Sequence, residues 1–92
     1  MTEQETGRPV TIYTLPDCVA CTLTKRAFDR RSPDLYDEVP LTDEKMDEFR
    51  RQGIRSAPVV VARGLFWYGL RPDLIQQAWK EIQRDRLDLG RP

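Results

Sequence analysis

Val10-Thr11-Ile12-Tyr13-Thr14-Leu15-Pro16-Asp17-Cys18-Val19-Ala20-Cys21 is the stretch on which the fold turns. Its first six residues are apolar or β-branched and read as a buried strand. Its last four hold the only two cysteines of the sequence, three positions apart. Random placement of two cysteines in a chain of 92 residues would give that spacing about once in fifty trials. Pro16 ends the strand, and Asp17 reads as the N-cap of a following helix. Cys18 then falls at the helix N-terminus, where unpartnered backbone N–H groups and the positive end of the dipole favour thiolate over thiol. Cys21, one turn on, shares its face and can attack Cys18 when that sulfur is held in a mixed disulfide. The pattern reads as a dithiol redox centre. Two plainer readings compete with it. A structural zinc site needs four ligands, and with no histidine in the chain only a dimer or a carboxylate set would complete one. A structural disulfide closing so short a loop would constrain the unfolded chain very little.

The composition fits one small domain. A chain of this length buries about 60–70% of the surface it exposes when unfolded, enough for a single modest core. The net charge is zero, so nothing points to a nucleic-acid partner. Residues Met1 to Arg8 are polar and acidic, and no apolar run has the length of a membrane span or signal peptide. The expectation is a cytoplasmic monomer with no membrane partner. In a reducing compartment a lone cysteine pair points to catalysis rather than to a structural bridge.

The remaining elements follow in order. Residues 1–8 read as a flexible tail, 9–86 as the folded domain and 87–92 as a second tail. The first helix carries Ala20, Leu23, Ala27 and Phe28 at apolar spacing, with Lys25, Arg26, Arg30 and Arg31 on its other side. Ser32-Pro33-Asp34 ends it. Leu35 to Val39 is a weaker strand closed by Pro40, suited to a sheet edge. Thr42 caps a second helix with Asp43 and Glu44 in its first turn, Met46 and Phe49 as its apolar stripe, and Gly53 as its stop. Seven acidic residues between Asp34 and Glu48, against one lysine, read as a solvated face or a docking surface. Val59 to Ala62 is a buried strand preceded by Pro58. Arg63-Gly64 turns it into a hairpin with Leu65 to Tyr68. Pro72 and Asp73 open a third helix whose core face is Ile75, Ala78, Trp79 and Ile82. The order β-α-β-α-β-β-α packs as an α/β fold, a four-stranded mixed sheet with helices on both faces. The cysteine pair then lies at the carboxyl end of the first strand, where ligand chemistry sits in open α/β sheets.

Three stretches make the chain, from Val10 to about Gln83, resemble the glutaredoxin-like branch of the thioredoxin fold, and within it the NrdH-type redoxins. Tyr13 to Cys21 has that family's Cys-Val-x-Cys form instead of the Cys-Pro-Tyr-Cys usual in glutaredoxins. Ser56-Ala57-Pro58-Val59-Val60 is similar to its Thr-Ala-Pro-Val segment, where the proline is cis and faces the redox pair. Trp67-Tyr68-Gly69-Leu70-Arg71-Pro72-Asp73 is close to its Trp-Ser-Gly-Phe-Arg-Pro-Asp. A glutathione-using glutaredoxin would show a Gly-Gly pair and an acidic residue in this last stretch, and Tyr68-Gly69 lacks the first glycine. Leu15 stands where the family often has a lysine, Asp17 adds a negative charge beside Cys18, and Tyr68 and Leu70 replace Ser and Phe.

The resemblance implies an electron donor to a protein disulfide, with class Ib ribonucleotide reductase as acceptor and thioredoxin reductase as electron source. Cys18 is then the nucleophile and Cys21 the resolving thiol, with no cofactor or metal beyond their disulfide. The substrate-binding residues expected around them are Val19, Ala20, Ala57, Pro58, Gly69 and Arg71. Pro58, if cis, offers the backbone around Ala57 as an edge for an extended substrate. Arg71, with Arg55, supplies a positive field near Cys18. Two alternatives stand beside this reading: a glutathione-dependent glutaredoxin, and a non-enzymatic redox switch that changes partner binding.

Overall fold

The computed structural model describes residues 8–89. Along them run β1 (Val10–Thr14), α1 (Val19–Asp29), β2 (Tyr36–Pro40), α2 (Asp43–Arg51), β3 (Val59–Ala62), β4 (Leu65–Tyr68) and α3 (Pro72–Leu89). The four strands form one sheet in the order β2-β1-β3-β4. β1 pairs parallel with β2, and antiparallel pairing joins β1 to β3 and β3 to β4. This is the mixed sheet expected, with β2 on an edge, where Pro40 removes no needed ladder donor. The chain turns from β3 into β4 through Arg63 (φ 47°) and Gly64 (φ 82°). Two successive positive φ values match the right-handed twist of a two-residue hairpin.

Strand alternation divides the core into two. Val10, Ile12, Val60, Ala62 and Trp67 point to one face, where Phe28 of α1 and Ile75, Ala78 and Ile82 of α3 cover them. Tyr13 and Val59 point to the other, under Phe49 of α2 together with Leu41 and Ile54. Trp67 is thus a core residue, 4% exposed, and Trp79 packs against the same cluster. α2 is capped as its sequence indicates. Thr42 accepts a hydrogen bond from the Lys45 amide at 3.1 Å, and Gly53 follows the helix at φ 87°, a conformation that suits glycine.

The structure differs from the sequence reading at several points. α1 buries Cys21, Thr24 and Phe28, while Leu23 is 40% exposed. The buried stripe is therefore rotated by one residue, because Phe28 and Cys21 set the phase of the helix against the sheet. β2 starts at Tyr36; Leu35 precedes the strand and packs beside Phe28 in the first core. α3 continues through Leu89, three residues beyond the expected end at Arg86. Of the two expected tails, residues 1–7 and 90–92 lie outside the described residues. Arg8, placed in the first tail, donates to the Tyr36 carbonyl at 3.1 Å. The acidic stretch is largely ion-paired, with Glu38 to Lys25, Glu48 to Lys45 and Asp47 to Arg50.

Candidate active site

The redox pair sits in the β1–α1 connection. Asp17 occupies the left-handed region at φ 56°, a conformation that aspartate tolerates better than most residues. That turn delivers Cys18 in extended conformation (φ −110°, ψ 107°) as the N-cap of α1. The capping residue is therefore Cys18 and not Asp17, which corrects the sequence reading. The Cys18 sulfur performs the cap, accepting a hydrogen bond from the Cys21 amide at 3.1 Å. An N-cap acceptor satisfies one of the orphan amides of the first turn, and a sulfur placed there gains most when it is anionic. α1 has no acidic residue in its first turn to compete with it.

Cys18 and Cys21 are joined by a disulfide, with their Cα atoms 5.2 Å apart. They differ in access. Cys18 is partly exposed, whereas Cys21 is 2% exposed against the sheet. Val19 projects from the first helical position at 73% exposure, and Ala20 is partly buried. Leu15 and Leu23, both more than a third exposed, flank the same turn. The Cys18 sulfur thus emerges among apolar side chains.

Register brings the other expected residues to the same end of the sheet. Tyr13 pairs with Val59, and Val59 with Tyr68, so Pro58 and Gly69 lie one residue past those pairs, beside the exit of β1. The Ala57–Pro58 peptide bond is cis, as expected. Pro58 is buried and Ala57 partly so. The Gly69 amide donates to the Pro58 carbonyl at 2.9 Å, which ties the Trp67 to Asp73 stretch to the proline loop. Gly69 has φ 79°, so a side chain there would be strained.

Arg71 is brought to this end of the fold but not as a free cation. Its Nε and Nη2 donate to the Asp73 carboxylate at 3.2 and 2.9 Å. The bond to Asp73 pushes the guanidinium pKa up, and the bond from Arg71 holds the Asp73 carboxyl below its usual range. The pair presents a fork closed on itself. Arg55 is exposed.

One cluster at the site was not foreseen. Thr14 Oγ1 and Lys25 Nζ both donate to Glu38 Oε2, each at 2.9 Å. Lys25 and Glu38 line the same open groove as Cys18 and Cys21. Thr14 and Glu38 meet through the β1–β2 register and Lys25 reaches them from α1, so neither their spacing nor their local pattern could have signalled the cluster.

Comparison with known proteins agrees with this geometry. Residues 10–67 match the family model for glutaredoxin. The glutaredoxin-like protein NrdH of Escherichia coli (strain K12) is 46% identical over 72 residues, which span 74% of this chain and 85% of that protein. Its counterpart in Salmonella typhimurium is 44% identical over 69 residues, with the same coverage. Among solved structures, NrdH-redoxin from E. coli, a glutaredoxin-like protein with a thioredoxin-like activity profile, superposes with a TM-score of 0.67. It shares 43% identity, over 74% of this chain and 91% of that one. Glutaredoxin from Brucella melitensis superposes with a TM-score of 0.60 at 25% identity, over 87% of each chain. With a cysteine pair capping the first helix of this sheet, the chain belongs to the glutaredoxin family, in its NrdH-type branch, as a thiol–disulfide oxidoreductase.

Proposed function

We propose that this protein carries electrons from thioredoxin reductase to a disulfide of a partner protein in the cytoplasm, with class Ib ribonucleotide reductase as the acceptor. The observation that carries the reading is the contrast between a partly exposed Cys18 sulfur bonded to a helix-terminal amide and a Cys21 sulfur buried one turn behind it. In the reduced protein Cys18, as thiolate, attacks one sulfur of the partner disulfide. The partner's other sulfur leaves as a thiol, and a mixed disulfide remains. Cys21 then attacks Cys18, the partner's second sulfur leaves with the electron pair, and the Cys18–Cys21 disulfide forms. Each turnover oxidises two thiols here and reduces one disulfide there.

The substrate segment is proposed to lie along Ala57 and Pro58, beside Val19, Ala20 and Gly69. Ala57 precedes the first ladder pair of β3, and its backbone takes no hydrogen bond from the described residues, so an extended peptide can pair with it. Apolar contact comes from Leu15, Val19 and Leu23. Arg71 serves here as a positioning residue, holding the Gly69 loop against α3 through Asp73.

Two features favour thioredoxin reductase over glutathione as reductant. Tyr68, 41% exposed, occupies the position where a glutathione pocket would have a glycine. The NrdH-redoxin of E. coli also has a thioredoxin-like activity profile. The test is NADPH oxidation coupled in one arm through thioredoxin reductase and in the other through glutathione reductase with glutathione. Turnover in the first arm is expected. Turnover only in the second would replace this reading with a glutathione-dependent glutaredoxin. Reversible disulfide formation with turnover in neither arm would leave a redox switch.

A further inference from the structure

The resolving step needs a proton acceptor that the two cysteines do not themselves supply. Cys21 is 2% exposed, and burial among apolar groups holds a thiol in its neutral form. The thiol must lose its proton to become a nucleophile.

The sheet face that α1 covers carries a carboxylate. Ile12 points toward α1 and pairs in register with Glu38, so Glu38 points toward α1 as well. Thr14, two residues beyond Ile12, shares that direction and is 7% exposed. Lys25 follows Cys21 by four residues and stands next to it on one helix face. Thr14 and Lys25 both bond Glu38 Oε2, while Oε1 takes no hydrogen bond from the described residues. The bond from Lys25, and after it the bond from Thr14, holds the carboxyl below its usual range, so Glu38 is ionised through neutral pH. The Glu38 side chain is 44% exposed and lines the groove that also holds Cys18 and Cys21.

An ion pair on an edge strand is ordinarily a surface feature of small effect. This one has a buried hydroxyl as second donor, an unengaged oxygen, and a place in the groove of the resolving sulfur. From this arrangement we infer that Glu38 accepts the Cys21 proton in the resolving step, through groove water, with Thr14 and Lys25 as positioning residues. The inference rests on the dithiol mechanism proposed above. As the Cys21 S–H bond breaks, the proton passes to Glu38, and the Cys21 sulfur bonds to Cys18. The bond from Cys18 to the partner's sulfur breaks, the electron pair leaves on that sulfur, and Glu38 returns its proton to solvent. A carboxylate this well stabilised is a weak base, so it serves as a way station and not as a store.

Other charged groups face the cluster: Lys25 and Arg26 from α1, Asp17 from the turn before it, and Tyr36 on the same strand, whose hydroxyl bonds Asp29. Asp17 is a second carboxylate lining the groove, but it adjoins Cys18 in the turn, whereas Glu38 is bonded to Lys25, the neighbour of Cys21 one turn on in α1. The sign of the effect separates two roles for Glu38. A carboxylate acting only through its charge opposes formation of the Cys21 thiolate, so its removal would speed resolution. Removal of a proton acceptor slows it.

The test is a rapid-quench reaction of the reduced full chain with insulin as disulfide probe, following the mixed disulfide by mass spectrometry across pH. In Glu38→Gln the mixed disulfide should form at the wild-type rate and decay about tenfold more slowly at pH 7, its rate profile displaced to higher pH. Glu38→Asp should recover part of the loss. Decay at the wild-type rate or faster, with an unmoved profile, would overturn the inference while leaving the dithiol mechanism intact. Failure of the wild type to form any mixed disulfide would overturn that mechanism, and the role of Glu38 with it.

Discussion

Cys18 and Cys21 stand three residues apart, yet their surroundings come from different levels of the structure. Cys18 takes its environment from the chain immediately around it: a left-handed Asp17, an extended backbone, and the amide of Cys21 bonded to its sulfur. Cys21 takes its environment from tertiary packing, buried where α1 meets the sheet. The first arrangement suits a sulfur that must meet a partner as thiolate. The second suits one that stays protonated until the mixed disulfide forms beside it. In the proposed mechanism the helix terminus makes Cys18 the reactive thiol, and the buried second sulfur makes the reaction end in release.

The largest expected effect comes from removing the exposed member. Cys18→Ser should reduce disulfide turnover by at least about three orders of magnitude in the coupled assay. Turnover near the wild-type level would erase the distinction between the two sulfurs. A smaller effect tests the buried side. Thr24 lies one turn beyond Cys21, fully buried, and its hydroxyl has no hydrogen-bond partner among the described residues. Thr24→Val exchanges that hydroxyl for a methyl group of similar shape and should raise stability by about 1 kcal/mol in urea unfolding. A loss of stability would mean that the hydroxyl has a partner, such as a buried water.

On the exposed side, Asp17→Asn keeps a residue that tolerates positive φ while removing a charge next to Cys18. The Cys18 thiolate should form at lower pH, read from thiolate absorbance at low salt. No change would mean that solvent screens the charge. The smallest effect concerns stability in acid. The folded-state pKa of Glu38 is depressed, first by the Lys25 bond and then by the Thr14 bond. Its contribution is therefore present above the unfolded value of about 4.3 and is lost as pH falls through the folded value. Wild type should exceed Glu38→Gln by about 0.3 kcal/mol at pH 7, a margin kept small by exposure. The gap should close in acid, below the ordinary carboxylate range.

The same contrast explains what was legible in the sequence. Cys18 at a helix start, Thr42 as a cap, Arg63-Gly64 as a hairpin turn and the strand of Val59 to Ala62 are local patterns, and the structure places them as expected. Pro58 and the Trp67 to Asp73 stretch were found through resemblance, and register explains why they gather at the end of the sheet that bears the cysteines. Local pattern failed where orientation is a property of the assembly. Leu23 looked like core because it is apolar, but Phe28 and Cys21 fix the helix phase and leave it exposed beside the redox pair. Asp17 has the chemistry of a cap, yet the turn puts Cys18 at the capping position. Glu38, Lys25 and Thr14 sit on three different elements, and only the β1–β2 register and the packing of α1 bring them together in the groove that the cysteines line.

The division of labour between the two sulfurs is most directly tested by trapping. Cys18→Ser and Cys21→Ser would each be incubated with a disulfide-bonded protein and resolved by mass spectrometry without reductant. Cys21→Ser should accumulate a mixed disulfide through Cys18, and Cys18→Ser should accumulate none. Adducts through Cys21 in the Cys18→Ser variant, at a rate equal to those through Cys18, would contradict the account.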